Sequence, residues 1–560
     1  MMNAGKYRIQ YFMPPEESTD WVKKDHIDKA PLWCSVDLRD GNQSLVVPMN
    51  LEQKLEFFEM LLKIGFREIE VGFPAASETE FTFVRTLIEK DLIPEGVTIQ
   101  VLSQAREHII KRTFDSLKGL KGQAIVHVFS PVSKVQREQV FRMSKDEVRR
   151  VAEDGARMVK ELGDASGLDL RYEYSAESFS AAEPEYVLEV VSSVLDIWRP
   201  TPERKAVINL PGTVEIAMPH VYASQVEYIH KHLPRRDSVL LSLHPHNDRG
   251  TGEAAAELGL LAGADRVEGT LLGNGERAGN VDLITLAMNL YMHGVDPELN
   301  FEEMSLITEK YENLTGMKVD ERRPYTGALA FAAFSGSHQD AISKGVKFWM
   351  NSEDGIWRVP YLPVDPIDIG RSADADVIRI NSQSGKGGVG FMLEQRFGIR
   401  LPAKMRESFG YAVKAESDRL GKELSPEEIL EVFKKSYIGI KSPYNISKVR
   451  FRQHNGIVAE VTTQFEDRRN VVLAAGSGRF NAVSNALKKF YHLEYDVATY
   501  EEHAIDLFRA EQAVAFVGVR SLENRKEYWG AGIYDDIIQA SIDALLSAVN
   551  NMAADCSSEG

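Results

Sequence analysis

Cysteine is almost missing from this 560-residue chain: only Cys34 and Cys556 occur. That excludes a disulfide framework and a Cys-rich metal cluster, so a metal would have to be held by His, Asp, Glu or Asn. Basic charge is also scarce. Lys and Arg number 66 against 83 Asp and Glu, a formal net charge of −17. This balance argues against a nucleic-acid surface and against an anionic membrane as partner, while leaving room for a local basic pocket. No apolar run approaches the length of a membrane span, and residues 1–31 hold no signal-peptide apolar core. A reducing, cytoplasmic location is the expectation. A P-loop is lacking as well, because the Gly-rich turn Ser382–Gly388 does not have its spacing.

What is present is a rhythm. The chain is too long for one core, and two or three domains are expected. From residue 32 to about 295, β-rich runs alternate with amphipathic helical patterns. The strand candidates are Leu32–Leu38, Glu68–Val71, Val97–Leu102, Ala124–Phe129, Leu168–Tyr174, Ala206–Leu210, Ser238–Leu243 and Arg266–Glu268. Eight such runs match a closed (β/α)8 barrel. An open doubly wound sheet usually carries a Gly-rich phosphate turn after its first strand, where this chain has Asp40-Gly41-Asn42-Gln43. The predicted fold is therefore α/β. An N-terminal extension (1–30) precedes a (β/α)8 TIM barrel (31–305), followed by helical linker subdomains (306–435). A small α+β domain (436–560) completes the chain. Its pattern from about 440 reads strand, strand, helix, then three strands and a helix.

The most informative stretch is Leu243-His244-Pro245-His246-Asn247-Asp248. Residues two apart on a strand share a face, so both imidazoles can converge at the strand's C-terminal end. Barrel active sites lie at that end. Other polar residues fall at the same rim: Arg39, Asp40, Glu70, Gln104, His127, Glu173, Glu177, Asn209, Thr213, Glu276 and Asn280. Asp40, His244 and His246 supply one carboxylate and two imidazoles with positions left open, a donor set suited to a catalytic divalent cation. Asn280 could add a weaker fourth ligand, directly or through water. A cation so placed can polarise the ketone of a 2-oxo acid, and Arg39 could stabilise a developing enolate or simply orient Asp40.

With these residues in view, the chain resembles the longer type of 2-isopropylmalate synthase, within the metal-dependent Claisen-condensing barrels. The resemblance covers roughly residues 30–550. It rests on Leu38-Arg39-Asp40-Gly41-Asn42-Gln43-Ser44, Leu210-Pro211-Gly212-Thr213-Val214-Glu215, and Gly273-Asn274-Gly275-Glu276-Arg277-Ala278-Gly279-Asn280. Ser335-Gly336-Ser337-His338-Gln339-Asp340 and Tyr361-Leu362-Pro363-Val364-Asp365-Pro366 add to it. It implies condensation of acetyl-CoA with 3-methyl-2-oxobutanoate and water, the first committed step of leucine synthesis. It implies Asp40, His244, His246 and Asn280 around a divalent metal (Mg, Mn or Zn), with Arg39 on the oxo acid or enolate and Thr213 on the substrate carboxylate. His127, Glu177 and Glu276 would line the pocket. His338 and Tyr361 would come from a partner subunit of a homodimer. His338 is a base candidate, since imidazole titrates near neutrality, with Glu177 as its orienter or an alternative base and Tyr361 as an enolate stabiliser.

The C-terminal segment resembles a leucine-sensing dimer domain. Gly476 and Gly478 form a Gly-rich turn at a helix start that could receive an amino-acid carboxylate. Arg479 stands where the family often has proline, and Asp506-Leu507-Phe508-Arg509 replaces a small Gly-containing turn, two departures in the segment tied to leucine feedback. A homocitrate or citramalate synthase of the same superfamily and a catalytically silent amino-acid sensor are the rival expectations.

Overall fold

The computed structural model describes residues 3–371, 386–422, 424–453, 456–465, 468–507 and 510–558. The chain divides into two compact units: residues 1–330 with 368–370, and residues 331–367 with 371–560.

In the first unit, eight parallel strands close into a barrel in sequence order. They are β1 (Leu32–Ser35), β2 (Glu68–Gly72), β3 (Thr98–Gln104), β4 (Gln123–Pro131), β5 (Asp169–Glu177), β6 (Ala206–Gly212), β7 (Val239–Pro245) and β8 (Arg266–Gly269). β8 pairs with β1 in the register Leu32↔Arg266 to Ser35↔Gly269, which closes the ring. The predicted TIM barrel is thus the observed one. Its strands show how period-two alternation works when both faces are buried. One face carries Ile69, Val71, Ile99, Val101, Val126, Ile208 and Leu241, all fully buried. The other carries Glu68, Glu70, Gln100, His127, Ser175, Asn209, Ser242, His244, Arg266 and Glu268, also buried but bonded to one another across the barrel, with Glu173 among them 3.5 Å from Arg266. The apolar face packs against the helices, and the barrel interior is polar.

The first strand is shorter than expected. Instead of running to Leu38 it stops at Ser35, and Asp37–Gly41 forms a single π-helical turn. Asp40 and Gly41 both donate their N–H groups to the Val36 carbonyl. The cause lies in Asp37, whose buried carboxylate accepts from Ser35 Oγ (2.8 Å) and the Leu271 N–H. That tie turns the chain across the barrel mouth rather than along it, and π-turns of this kind concentrate at functional sites.

In the second unit the helices Gly336–Met350, Lys386–Phe397, Ala403–Leu420 and Pro426–Tyr437 precede an α+β region. Here the expected two leading strands are three. β9 (Ile446–Gln453), β10 (Ile457–Phe465) and β11 (Arg468–Gly476) form one antiparallel sheet in the order β11-β10-β9. β9 was hidden from pattern reading because its burial alternates only between exposed and half-buried. The helix Arg479–Tyr491 follows, then β12 (Tyr495–Leu507), β13 (Ala510–Ser521) and β14 (Glu527–Tyr534) in a second antiparallel sheet, and the helix Ile537–Ser558. Their shared core is apolar, built from residues such as Val461, Leu487, Val517, Leu545 and Val549. No helix among the described residues is long and apolar enough to cross a membrane.

Candidate active site

β7 delivers the two histidines. His244 sits within the strand and His246 one residue past its end. Their rings lie parallel on one face, 5.4 Å between centroids. Asp40 arrives from the π-turn after β1. The donor atoms of Asp40, His244 and His246 all lie within 4.8 Å of one another, and each residue is buried. His244 Nε2 is 3.4 Å from Asp40 Oδ2 and His246 Nε2 4.0 Å from the same oxygen. Asn280 completes the cluster. Its Oδ1 is 2.9 Å from His244 Nε2, and its Nδ2 donates to Asp40 Oδ2 at 2.9 Å. The loop that carries Asn280 folds back on itself through Asn280 N–H to the Gly273 carbonyl. Gly279 permits this: its φ is 103°, and a Cβ there would fall 1.9 Å from the Gly273 oxygen.

A divalent cation fits this donor set. Octahedral coordination at about 2.0–2.1 Å separates adjacent donors by about 3 Å and opposite donors by about 4 Å, a range that contains the 3.4 and 4.0 Å spacings found here. Among the described residues His246 Nδ1 is buried without a hydrogen-bond partner, and burial, with His244 beside it, lowers the imidazole to about 4. His244 is the opposite case. Burial opposes its charge, but hydrogen bonds to Asp40 and Glu268 prevail and raise it to about 10. Holding a cation through Nε2 would require the neutral ring. Asp40 remains ionised. Burial disfavours its charge, yet Arg39 and His244 hold its carboxyl well below the usual range.

Behind these groups stands a buried ionic lattice. Arg39 bridges Asp40 (Nη1 to Oδ1, 2.6 Å) and Glu70. Glu70 also meets His127 Nδ1 at 2.8 Å, and His127 Nε2 meets Ser175 Oγ at 2.7 Å. Glu268 lies 2.7 Å from His244 Nδ1, which leaves Nε2 facing Asp40. Arg266 in turn bonds Glu268, Glu68 (2.6 Å) and Gln100 (2.7 Å). Glu173, between these groups, is pushed well above the usual carboxyl range by burial and by Glu268.

The mouth of the barrel is a cavity of about 270 Å³, with Arg39, Asp40, His127, Glu177, Thr213, His244, His246 and Glu276 in its lining. Phe73, Leu102, Phe129 and Pro211 give it an apolar wall. Glu177 is lifted above its ordinary value by burial, against a weak hydrogen bond from Gln136. Thr213 Oγ1 accepts the Ser178 N–H at 2.8 Å, leaving its own hydrogen to donate. Glu276 is half exposed and meets Gln43 Nε2 at 3.4 Å. Asn280 belongs to the donor cluster rather than to the lining.

His338 and Tyr361 lie in the second unit. There their rings stack with centroids 4.0 Å apart, and Tyr361 takes a left-handed φ of 66°. The pair is 23 positions apart in sequence, so its adjacency was not legible there. Gly476 and Gly478 prove unlike. A Cβ on Gly476 would come within 2.3 Å of Ala482 N, whereas Gly478 caps the helix Arg479–Tyr491 with open space around it. Arg479 is the first helical residue and its guanidinium lies 5.6 Å from the Phe451 ring centre. Of the stretch Asp506–Arg509, Asp506 and Leu507 pair with Glu511 and Ala510, and Phe508 and Arg509 lie outside the described residues. Gly385 and the three residues before it lie outside them too.

Sequence reasoning passed over Ser175, Arg277, and the roles of Arg266 and Glu268. The signal for the last two was two charges at alternate positions in a short buried strand, hence on one inward face.

Residues 30–310 match the HMGL-like family, residues 328–394 the alpha-isopropylmalate synthase post-catalytic domain-like family, and residues 423–553 the LeuA allosteric (dimerisation) domain. The 2-isopropylmalate synthase of Desulfitobacterium hafniense is 56% identical over 555 residues, covering 99% of both chains. That of Helicobacter hepaticus is 53% identical, over 98% of this chain and all of its own. The chain belongs to the 2-isopropylmalate synthase family. For this family member, Asp40, His244 and His246 are the grouping of His, Cys, Asp and Glu with metal-site spacing among the described residues. Its matched dimerisation domain points to an oligomer.

Proposed function

We propose that the chain condenses acetyl-CoA with 3-methyl-2-oxobutanoate and water to give 2-isopropylmalate and CoA, the first committed step of leucine biosynthesis, in the cytoplasm. The observation that carries this is the Asp40, His244 and His246 cluster opening into a small cavity with an apolar wall, in a chain related to 2-isopropylmalate synthases over its whole length. The wall of Phe73, Leu102 and Phe129 suits a branched alkyl side chain and offers no partner for the second carboxylate of 2-oxoglutarate.

Asp40, His244 and His246, with Asn280, would hold a divalent cation: magnesium, manganese or zinc. When bound, it supplies Lewis-acid polarisation of the oxo acid's ketone. Arg39 lines the cavity beside Asp40 and would stabilise the oxygen where negative charge develops. The free Thr213 hydroxyl donates to the substrate carboxylate. His127 and Glu276 border the bound substrates. Removing a proton from the acetyl methyl needs a base and a stabilised enolate. We assign the base to His338 of a second copy, oriented by Glu177 or replaced by it, with Tyr361 stabilising the enolate. A homodimer is then required for turnover. Leucine bound near Gly476 and Gly478 would act as feedback inhibitor.

CoA release from acetyl-CoA across a panel of 2-oxo acids, with and without chelator, tests the reading. Release strongest with 3-methyl-2-oxobutanoate and abolished by chelation is the expected result. Preference for pyruvate or 2-oxoglutarate moves the chain to a sister activity.

A further inference from the structure

The 270 Å³ cavity holds the donor cluster and is of a size for an oxo acid and an acetyl group. A second pocket, of about 570 Å³, opens beside it. Tyr7, Arg8, Gln10 and Tyr11 of the N-terminal segment line one side, and Glu215 and Arg249, after β6 and β7, line the other. The two pockets border the same pair of loops. Thr213 faces the first and Glu215 the second. Asp248 accepts from Glu215 N–H at 2.9 Å and from Arg277 Nε at 2.7 Å, and Arg277 lines the first pocket.

The N-terminal wall is firmly built. Buried Glu227, on the helix Pro219–His232, accepts the N–H groups of Thr19 (2.8 Å), Asp20 (3.2 Å) and Trp21 (2.9 Å). Gln225, fully buried on the same helix, donates to the carbonyls of Phe12 (2.8 Å) and Ser180 (3.2 Å). A segment tied down at Phe12 and at Thr19–Trp21 presents Tyr7 to Tyr11 to the barrel rim.

The pocket joins two guanidinium groups and two phenol rings with the apolar Ile9, Ile216 and Met218. Glu215 is already occupied, its carboxylate accepting from Arg249 N–H (2.6 Å) and from the hydroxyl of Thr251. Arg8 and Arg249 are exposed, and neither makes an ion pair among the described residues. Arg8 commits only Nη1, to the Gly5 and Tyr7 carbonyls. Lys6 Nζ lies 5.0 Å from the Tyr7 ring centre. In a chain of net charge −17, unpaired cations beside the candidate site are an anion-binding feature, and guanidinium with phenol rings suits phosphate with a flat base.

We propose that this second pocket binds the phosphate-bearing adenosine end of acetyl-CoA, with the pantetheine arm crossing the Thr213–Glu215 loop to bring the acetyl group to the first. The proposal rests on acetyl-CoA being the co-substrate. It is tested by steady-state kinetics of the full-length enzyme and its Arg8→Ala, Arg249→Ala and double variants, varying each substrate separately, with adenosine 3′,5′-bisphosphate as probe. Each single change is expected to raise KM for acetyl-CoA about tenfold, the worth of a charge-assisted hydrogen bond. The KM for the oxo acid stays within twofold. The bisphosphate competes with acetyl-CoA in the wild type and loses that competition in the double variant. An active enzyme whose acetyl-CoA KM and bisphosphate inhibition are untouched by the double change overturns the subsite and leaves the activity standing. A wild type that releases no CoA with any oxo acid overturns the activity, and the subsite with it.

Discussion

The barrel interior and the core of the C-terminal α+β region are both buried and are built on opposite principles. Arg266, Glu173 and Glu268 are completely buried, as are Val461, Leu487 and Val517. The apolar core is held by non-directional burial, where a residue of similar volume serves nearly as well. The barrel interior is held by directed pairs, each of which leaves an uncompensated charge when one member is removed. Such a lattice adds little net stability. What it gives is position: Glu268 fixes the ring of His244, and Glu70 with Arg39 fixes Asp40. Precision is spent where chemistry is expected.

The largest effect that would sharpen this contrast is on the donor cluster. Asp40→Ala or His244→Ala should remove measurable divalent-cation binding by calorimetry and lower turnover by about 10³-fold or more. A variant that keeps both would break the assignment. Next comes the lattice itself. Arg266→Leu should destabilise the protein by about 3–5 kcal/mol in denaturant unfolding, and adding Glu268→Gln should recover part of the loss. In the apolar core, Leu487→Ala should cost about 2–5 kcal/mol with no comparable polar partner to relieve it. Equal behaviour of the two regions in such double changes would remove the distinction.

A smaller effect concerns Glu177. Burial raises its carboxyl, so it loses its proton at a pH above the ordinary carboxylate range. If it acts as orienter or base in its ionised form, kcat/KM falls as pH drops through that raised value. Glu177→Gln should lower kcat and erase this acid limb of the profile. An unaltered limb would place it on another group.

The smallest change expected is Arg479→Pro. The first position of a helix suits proline, whose missing N–H is not needed there. The gain of about 0.5–1 kcal/mol is offset by the lost approach of Arg479 to Phe451, so Tm should move by only a few degrees either way. A large loss would show that Arg479 has a structural task of its own.

By itself the sequence determined the repeating layout and the chemistry of the individual motifs. Eight β-rich runs fixed a barrel because alternation and spacing are local properties. His244 and His246 could be placed on one face because strand period is local too. What only the tertiary structure decided was which distant residues meet. Closing β8 onto β1 brings Asn280 against Asp40, and the stacking of His338 on Tyr361 depends on a loop path with no periodic signature. Asp37 and Leu38, the first two residues of the π-turn, read as strand in the sequence because the cause of the turn, the Leu271 N–H, lies 234 positions from Asp37. The polar lining of the barrel had the same origin. A charged residue in a short strand is an oddity until closure of the ring supplies its partner.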